Sequence, residues 1–222
     1  MTPPRRSGQC AYCGRDAPLT RDHIPPQNLF PDPKPSDLIM VPCCETCRAG
    51  WSDDDEYFRL AVVSASNVYG GDHAERVNQT LLRSLRKPSK AGFARLVHQS
   101  LLELEVRSEA GIYVGSTGAL SVDKKRFDRV AERIIRGLFW HEKRYPVPEG
   151  YQVTNRFSQF GLRKVLDELD HVTYAELRDI GGGVFAYTFA PTDEDPDSMV
   201  WLSGFYGRLP FVGFTVKPAH MR

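Results

Sequence analysis

The sequence has no cysteine beyond Cys47; all five lie at positions 10, 13, 43, 44 and 47. A disulfide-stapled secreted fold spreads its cysteines along the chain, so this clustering points to a metal site. No apolar run approaches the roughly 18 residues that a membrane span needs. The start of the chain carries Pro and Arg with no apolar stretch behind them, so the expectation is a cytoplasmic protein with no membrane contact. A strong excess of either sign of charge is missing too: 29 Lys and Arg stand against 28 Asp and Glu, a net charge of +1. That balance neither demands nor excludes a polyanionic partner, so local patterning has to decide. There is no internal repeat and no low-complexity tract.

What is present suits an ordinary globular chain: 222 residues, 41% hydrophobic and 26% charged, enough for one good core or two small ones. Residues 1 to 8 read as disordered. Prolines 25, 26, 31, 33 and 35 stiffen a loop that can be neither helix nor central strand. From Asp53 the pattern turns helical through Val68, with acids in its first turn that suit the positive end of a helix dipole. Residues 74 to 87 and 91 to 107 read as two amphipathic helices divided at Pro88, and 111 to 122 as a hairpin. In 123 to 145, Phe127, Val130, Ile134, Leu138 and Phe139 recur at helical spacing, and Pro146 stops the run. Lys124, Lys125, Arg126, Arg129, Arg133 and Arg136 then fall on what reads as its basic outer face.

After Gly150 aromatic and β-branched runs predict strands at 151–157, 184–189, 199–205 and 211–216, with a short helix at 162–169 between them. The expected fold class is α+β: an N-terminal zinc-bound ββα module, a helical middle over 61–145 and a β-rich part over 150–218. We take 1–60 as the module and 61–222 as the remainder.

Cys10-Ala11-Tyr12-Cys13 and Cys44-Glu45-Thr46-Cys47 are two C-x2-C pairs about thirty residues apart. The two-residue spacer lets both thiolates of a pair reach one ion at about 2.3 Å, and two such pairs complete a tetrahedral zinc site. Cys43 is left as a spare thiol. A zinc ion with four thiolates has no open position, so it stabilises a small module and does no chemistry. Between the pairs lies Asp22-His23-Ile24-Pro25-Pro26. On a strand, adjacent side chains point to opposite faces, so Asp22 and His23 need a bend or bulge there to serve one site.

The order C-x2-C, Asp-His-Ile-x-Pro, a loop, the aliphatic stretch Leu38-Ile39-Met40-Val41-Pro42 and a second C-x2-C leading into a helix resembles the zinc-bearing branch of HNH (His-Me finger) endonucleases, over residues 10 to 58. The runs Gly50-Trp51-Ser52-Asp53-Asp54-Asp55-Glu56-Tyr57-Phe58-Arg59 and Arg136-Gly137-Leu138-Phe139-Trp140-His141-Glu142 are similar to an uncharacterised group of bacterial proteins assigned to that family. The resemblance implies that His23 is the general base, drawing a proton from the water that attacks a phosphodiester. It implies that Asp22 holds a catalytic magnesium or manganese ion as a hard oxygen ligand. DNA is then the implied partner, tracked through the basic faces of 76–95 and 124–144.

Two departures from the family pattern stand out. Arg48 occupies the place of the Asn that supplies a second metal ligand, and a guanidinium has only donors. Asp37 stands where the family has a loop-pinning Asn, a milder change. A helix running on from Cys47 would set 48, 52 and 55 on one face, so Asp55, or less well Asp54, is a candidate replacement ligand. Arg48 is itself a candidate phosphate contact. The competing reading of the acidic 53–56 run is a solvated first helical turn. His73, His98, His171 and His220 read as surface or core, and His141 as a cap on the negative end of its helix.

The alternatives to a nuclease are a decayed HNH-like module that binds nucleic acid without cutting, and a zinc-stabilised module that meets a protein partner or a second copy through its C-terminal region.

Overall fold

The computed structural model describes residues 7–67, 72–157, 172–207 and 209–218. It is a mixed α+β protein. Strands β1 (Ser7–Gln9), β2 (Asp16–Ile24) and β3 (Ile39–Cys44) form an antiparallel sheet in that order. Thus Ser7 and Gly8, expected to be disordered, pair with Pro18 and Ala17. Two helices follow, α1 (Glu45–Arg48) and α2 (Trp51–Asn67). They are not one helix: Ala49 is extended and Gly50 has φ of +83°, so the chain turns sharply before α2 begins.

Helices α3 (Asp72–Leu85) and α4 (Ala91–Ser100) are joined through a 3-10 turn at Pro88–Lys90. The expected helix over 91–107 ends at Ser100. Residues Leu101–Arg107 form β4, which pairs with β5 (Tyr113–Leu120), so the hairpin expected within 111–122 reaches back to Leu101. Leu101 and Leu104 suit a helical stripe, but Leu102, Leu104 and Val106 also alternate, and the pleated period prevails.

Helix α5 (Lys124–Lys143) is capped by the Asp123 side chain, which accepts from the amides of Lys125 and Arg126. It lies against α2 and the first sheet on one side and against a second sheet on the other. That sheet holds β6 (Gln152–Phe157), β7 (Arg178–Ile180), β8 (Phe185–Pro191), β9 (Met199–Phe205) and β10 (Leu209–Val216) in the order β6-β10-β9-β8-β7. The helix expected at 162–169 lies outside the described residues.

One hydrophobic core runs from Ala11, Ile24 and Val41 through Phe58 and Ile134 to Trp201 and Phe211. The division expected at residue 60 falls inside α2, and this core crosses it. Two contacts fix the proline-rich loop to the second sheet: the Tyr206 hydroxyl donates to the Leu29 carbonyl at 2.7 Å, and Asp37 Oδ2 accepts from the Gly181 amide at 3.0 Å. Packing is tight where α5 crosses β2. A Cβ at Gly137 would stand 2.4 Å from Ile24 Cγ1, so only glycine fits beside the residue that follows His23.

Candidate active site and metal centre

The metal centre is built by two turns. Cys10 ends the β1 segment, and the amide of Gly14, in the left-handed region at φ of +69°, donates to the Cys10 carbonyl at 3.0 Å, folding Cys13 back toward Cys10. At the other end β3 runs into α1, whose first turn brings Cys44 and Cys47 together. The Cys47 amide reaches Cys44 Sγ at 3.5 Å, and the Cys44 amide reaches Cys10 Sγ at 3.4 Å. All four sulfurs, of Cys10, Cys13, Cys44 and Cys47, lie within 4.8 Å of one another. Zn–S bonds of about 2.3 Å in a tetrahedron place sulfurs about 3.8 Å apart. Cys13 Sγ and Cys44 Sγ are 3.8 Å apart.

The group is therefore positioned to hold a metal ion, and the donor set suits structural zinc. Cys10 is held down to about 3, first by the Cys43 thiol and then, against burial, by backbone amides. Cys47 is pushed up by burial and by the thiols of Cys13 and Cys44. Cys43 stays outside the group; its buried thiol donates to the Cys44 carbonyl at 3.2 Å.

Beside this centre is a cleft of about 290 Å³, lined by Asp22, His23, Asn28, Arg48, Trp51 and Asp55 among others. Among the described residues β1 pairs with Asp16 to Pro18 of β2, and further along β2 Asp22 and His23 both reach this cleft. No bulge is involved: the register with β3 runs unbroken from Leu19↔Cys44 to Ile24↔Ile39. Arg48 Nη1 donates to Thr20 Oγ1 at 3.2 Å and to the Arg21 carbonyl at 3.1 Å, which anchors the guanidinium at the rim. Asp55 reaches the cleft although α1 and α2 are separate helices.

Three side chains that the sequence did not single out organise these groups. Tyr12, between the two cysteines of the first pair, donates to Asp22 Oδ2 at 2.5 Å. Arg133, 5% exposed, bonds Asp55 Oδ1 through Nη2, and its Nε lies 3.9 Å from Asp22 Oδ2. Its guanidinium stacks 4.3 Å from the Trp51 ring, which meets Tyr12 edge-on at 4.9 Å. Burial pushes the Tyr12 hydroxyl well up, and the Asp22 carboxylate beside it adds to that. Burial also raises Asp55, with Arg133 pulling against it. Among the described residues Asp22 Oδ1, Asp55 Oδ2 and both ring nitrogens of His23 have no hydrogen-bond partner.

Asp54 is not brought to the cleft. Arg126 Nε and Arg129 Nη2 donate to its Oδ1 at 2.9 and 3.1 Å, and Arg129 Nε to its Oδ2 at 2.8 Å. Both of its oxygens are engaged by guanidiniums, and it does not line the cleft. The same contacts revise the basic outer face expected for α5: Arg126 and Arg129 pair with Asp54, Arg133 is buried, and Lys124 pairs with Asp128. His141 sits in the last turn of α5, and burial lowers it. His171 and His220 lie outside the described residues.

Among the described residues the cysteine group is the only set of three or more metal-type ligands that converge this closely; Asp22, His23 and Asp55 do not. No helix among them is long and apolar enough to cross a membrane. Comparison with protein-family models, with curated proteins and with solved structures finds no match to the chain.

Proposed function

We propose that the protein is an HNH-type endonuclease that hydrolyses phosphodiester bonds, in DNA, with a ββα His-Me finger made by β2, β3 and the helices after them. The observation that carries the reading is one cleft, beside a four-cysteine centre, that gathers Asp22, His23 and Arg48. His23 has ring nitrogens free to take the proton of an attacking water, an imidazole task near neutral pH. The water oxygen adds to phosphorus, the bond to the leaving sugar oxygen breaks, and the proton resides on His23. Arg48 keeps guanidinium donors beyond the two bonds that anchor it, and these suit a phosphate oxygen.

A magnesium or manganese ion, when bound, would neutralise charge on the phosphate and leaving oxygen. Asp22 Oδ1 fits as its anchor, and magnesium commonly keeps several waters with one or two carboxylates, so the lack of a convergent ligand set does not bar it. Asp55 Oδ2 is the second candidate, whereas Asp54 is not. The reading predicts that His23→Ala abolishes nicking of DNA while zinc content and melting temperature stay as in the parent.

A second reading is favoured by Arg48 and by the separation of Asp22, His23 and Asp55: a module that binds nucleic acid without cutting it. It predicts salt-sensitive DNA binding with no product in magnesium or manganese.

A further inference from the structure

A second depression, of about 220 Å³, lies against the cleft and shares Gln27 and Asn28 with it as a common wall. Its lining includes Arg59 from α2, Thr80 from α3 and Lys34 from the proline-rich loop. Arg59 is 8% exposed, yet its guanidinium is poorly served. Its Nε has no hydrogen-bond partner, and its Nη2 reaches Glu56 Oε1 only at 3.5 Å. Glu56 is meanwhile bonded through its other oxygen to Lys90. Asp32, at the rim, pairs with Lys34 at 3.2 Å, and its carbonyl accepts from Arg76. Of the charged groups that line the depression, two are cations, Lys34 and Arg59, and one is an acid, Asp32. A buried guanidinium with donors unused and charge in surplus costs free energy unless an anion completes it.

We infer that this depression is a phosphate-binding subsite, with Arg59 as its buried anchor and Lys34 at its rim. A planar guanidinium offers paired donors to phosphate oxygens, and burial strengthens each charged hydrogen bond. Because the depression adjoins the His23 cleft, its phosphate belongs to a nucleic-acid backbone, a source that rests on the phosphodiester reading; inorganic phosphate shares the chemistry.

The test is calorimetric titration of full-length, zinc-replete protein, without added magnesium, with inorganic phosphate and with 5′-phosphorylated dithymidylate. Parent protein, Arg59→Lys and Thr80→Trp are compared. Thr80 is exposed, so tryptophan there fills the depression without disturbing the buried Arg59 pair. Loss of a charged hydrogen bond or of the space for the anion should weaken dinucleotide binding by at least about tenfold in Arg59→Lys and Thr80→Trp. Dinucleotide bound more tightly than phosphate supports a backbone subsite, and equal affinities support a site for the free anion. No binding by the parent, or binding unaltered in both variants, overturns the subsite. Binding lost in those variants while the parent cuts no DNA leaves the subsite standing and rejects the nuclease reading.

Discussion

Arg133 stands between the two carboxylates of the cleft, bonded to Asp55 and 3.9 Å from Asp22, with its guanidinium over Trp51. One buried cation from α5 therefore sets the position of acids carried by β2 and α2. Removing it would leave Asp22 and Asp55 facing each other in a half-buried site. Arg133→Met should cost about 3 kcal/mol or more, because breaking a buried pair strands its charge. Chemical denaturation measures this; a loss below about 1 kcal/mol, the range of exposed pairs, would mean the network is solvated.

With four cysteines positioned to hold a metal ion, stability is expected to depend on metal. One equivalent of zinc is expected by elemental analysis, and Cys13→Ser or prolonged chelation should lower the melting temperature sharply, since metal binding free energy is folding free energy in such modules. Cys43→Ser should keep the full equivalent, because that thiol lies outside the four-sulfur group. Loss of zinc in Cys43→Ser would show that the spare and the ligand had been exchanged.

Asp54 gives a pH signature. Burial works to raise its carboxyl, but the guanidiniums of Arg129 and Arg126 outweigh it and hold the folded-state value below the ordinary carboxylate range. The folded protein thus binds the proton less readily than the unfolded chain. The resulting stability is present above the unfolded value and fades as pH falls through the folded one. Asp54→Asn should cost about 1 to 2 kcal/mol at pH 7, discounted for the exposure of Arg129, and less at acid pH. A difference that persists unchanged down to pH 2 would place the effect elsewhere.

Gly137→Ala should destabilise despite alanine's better helix propensity. The added Cβ would meet Ile24 at 2.4 Å, and overpacking of this kind costs about 1 to 3 kcal/mol. Because Ile24 follows His23, activity should fall along with melting temperature. A variant more stable than the parent would show that α5 can move off β2 at little cost.

How much of this is legible follows from sequence distance. Each C-x2-C pair is a local signal, so the four ligands and the spare Cys43 can be read from spacing. The aromatic and β-branched runs of the last sheet are likewise local. Asp54 and the α5 arginines mislead because helical periodicity separates an outer face from an inner one but does not say what packs on it: Arg126 and Arg129 meet Asp54 more than seventy residues away. Arg133 is invisible as a site residue for the same reason. Tyr12 is nearer to hand, an aromatic hydroxyl between two ligands and ten residues from Asp22, but its partner is set by the turn at Gly14 and the pairing of β2. The Leu101–Arg107 segment carries both periods at once, and pairing with Tyr113–Leu120 decides between them.

On the proposed function, His23 and Asp22 cut a phosphodiester beside the four-cysteine centre. Supercoiled plasmid incubated with zinc-replete protein in magnesium, in manganese and in chelator, with His23→Ala alongside, tests it directly. Metal-dependent nicking that disappears in His23→Ala is the predicted result, and no cleavage under any metal, or cleavage retained by His23→Ala, would contradict it.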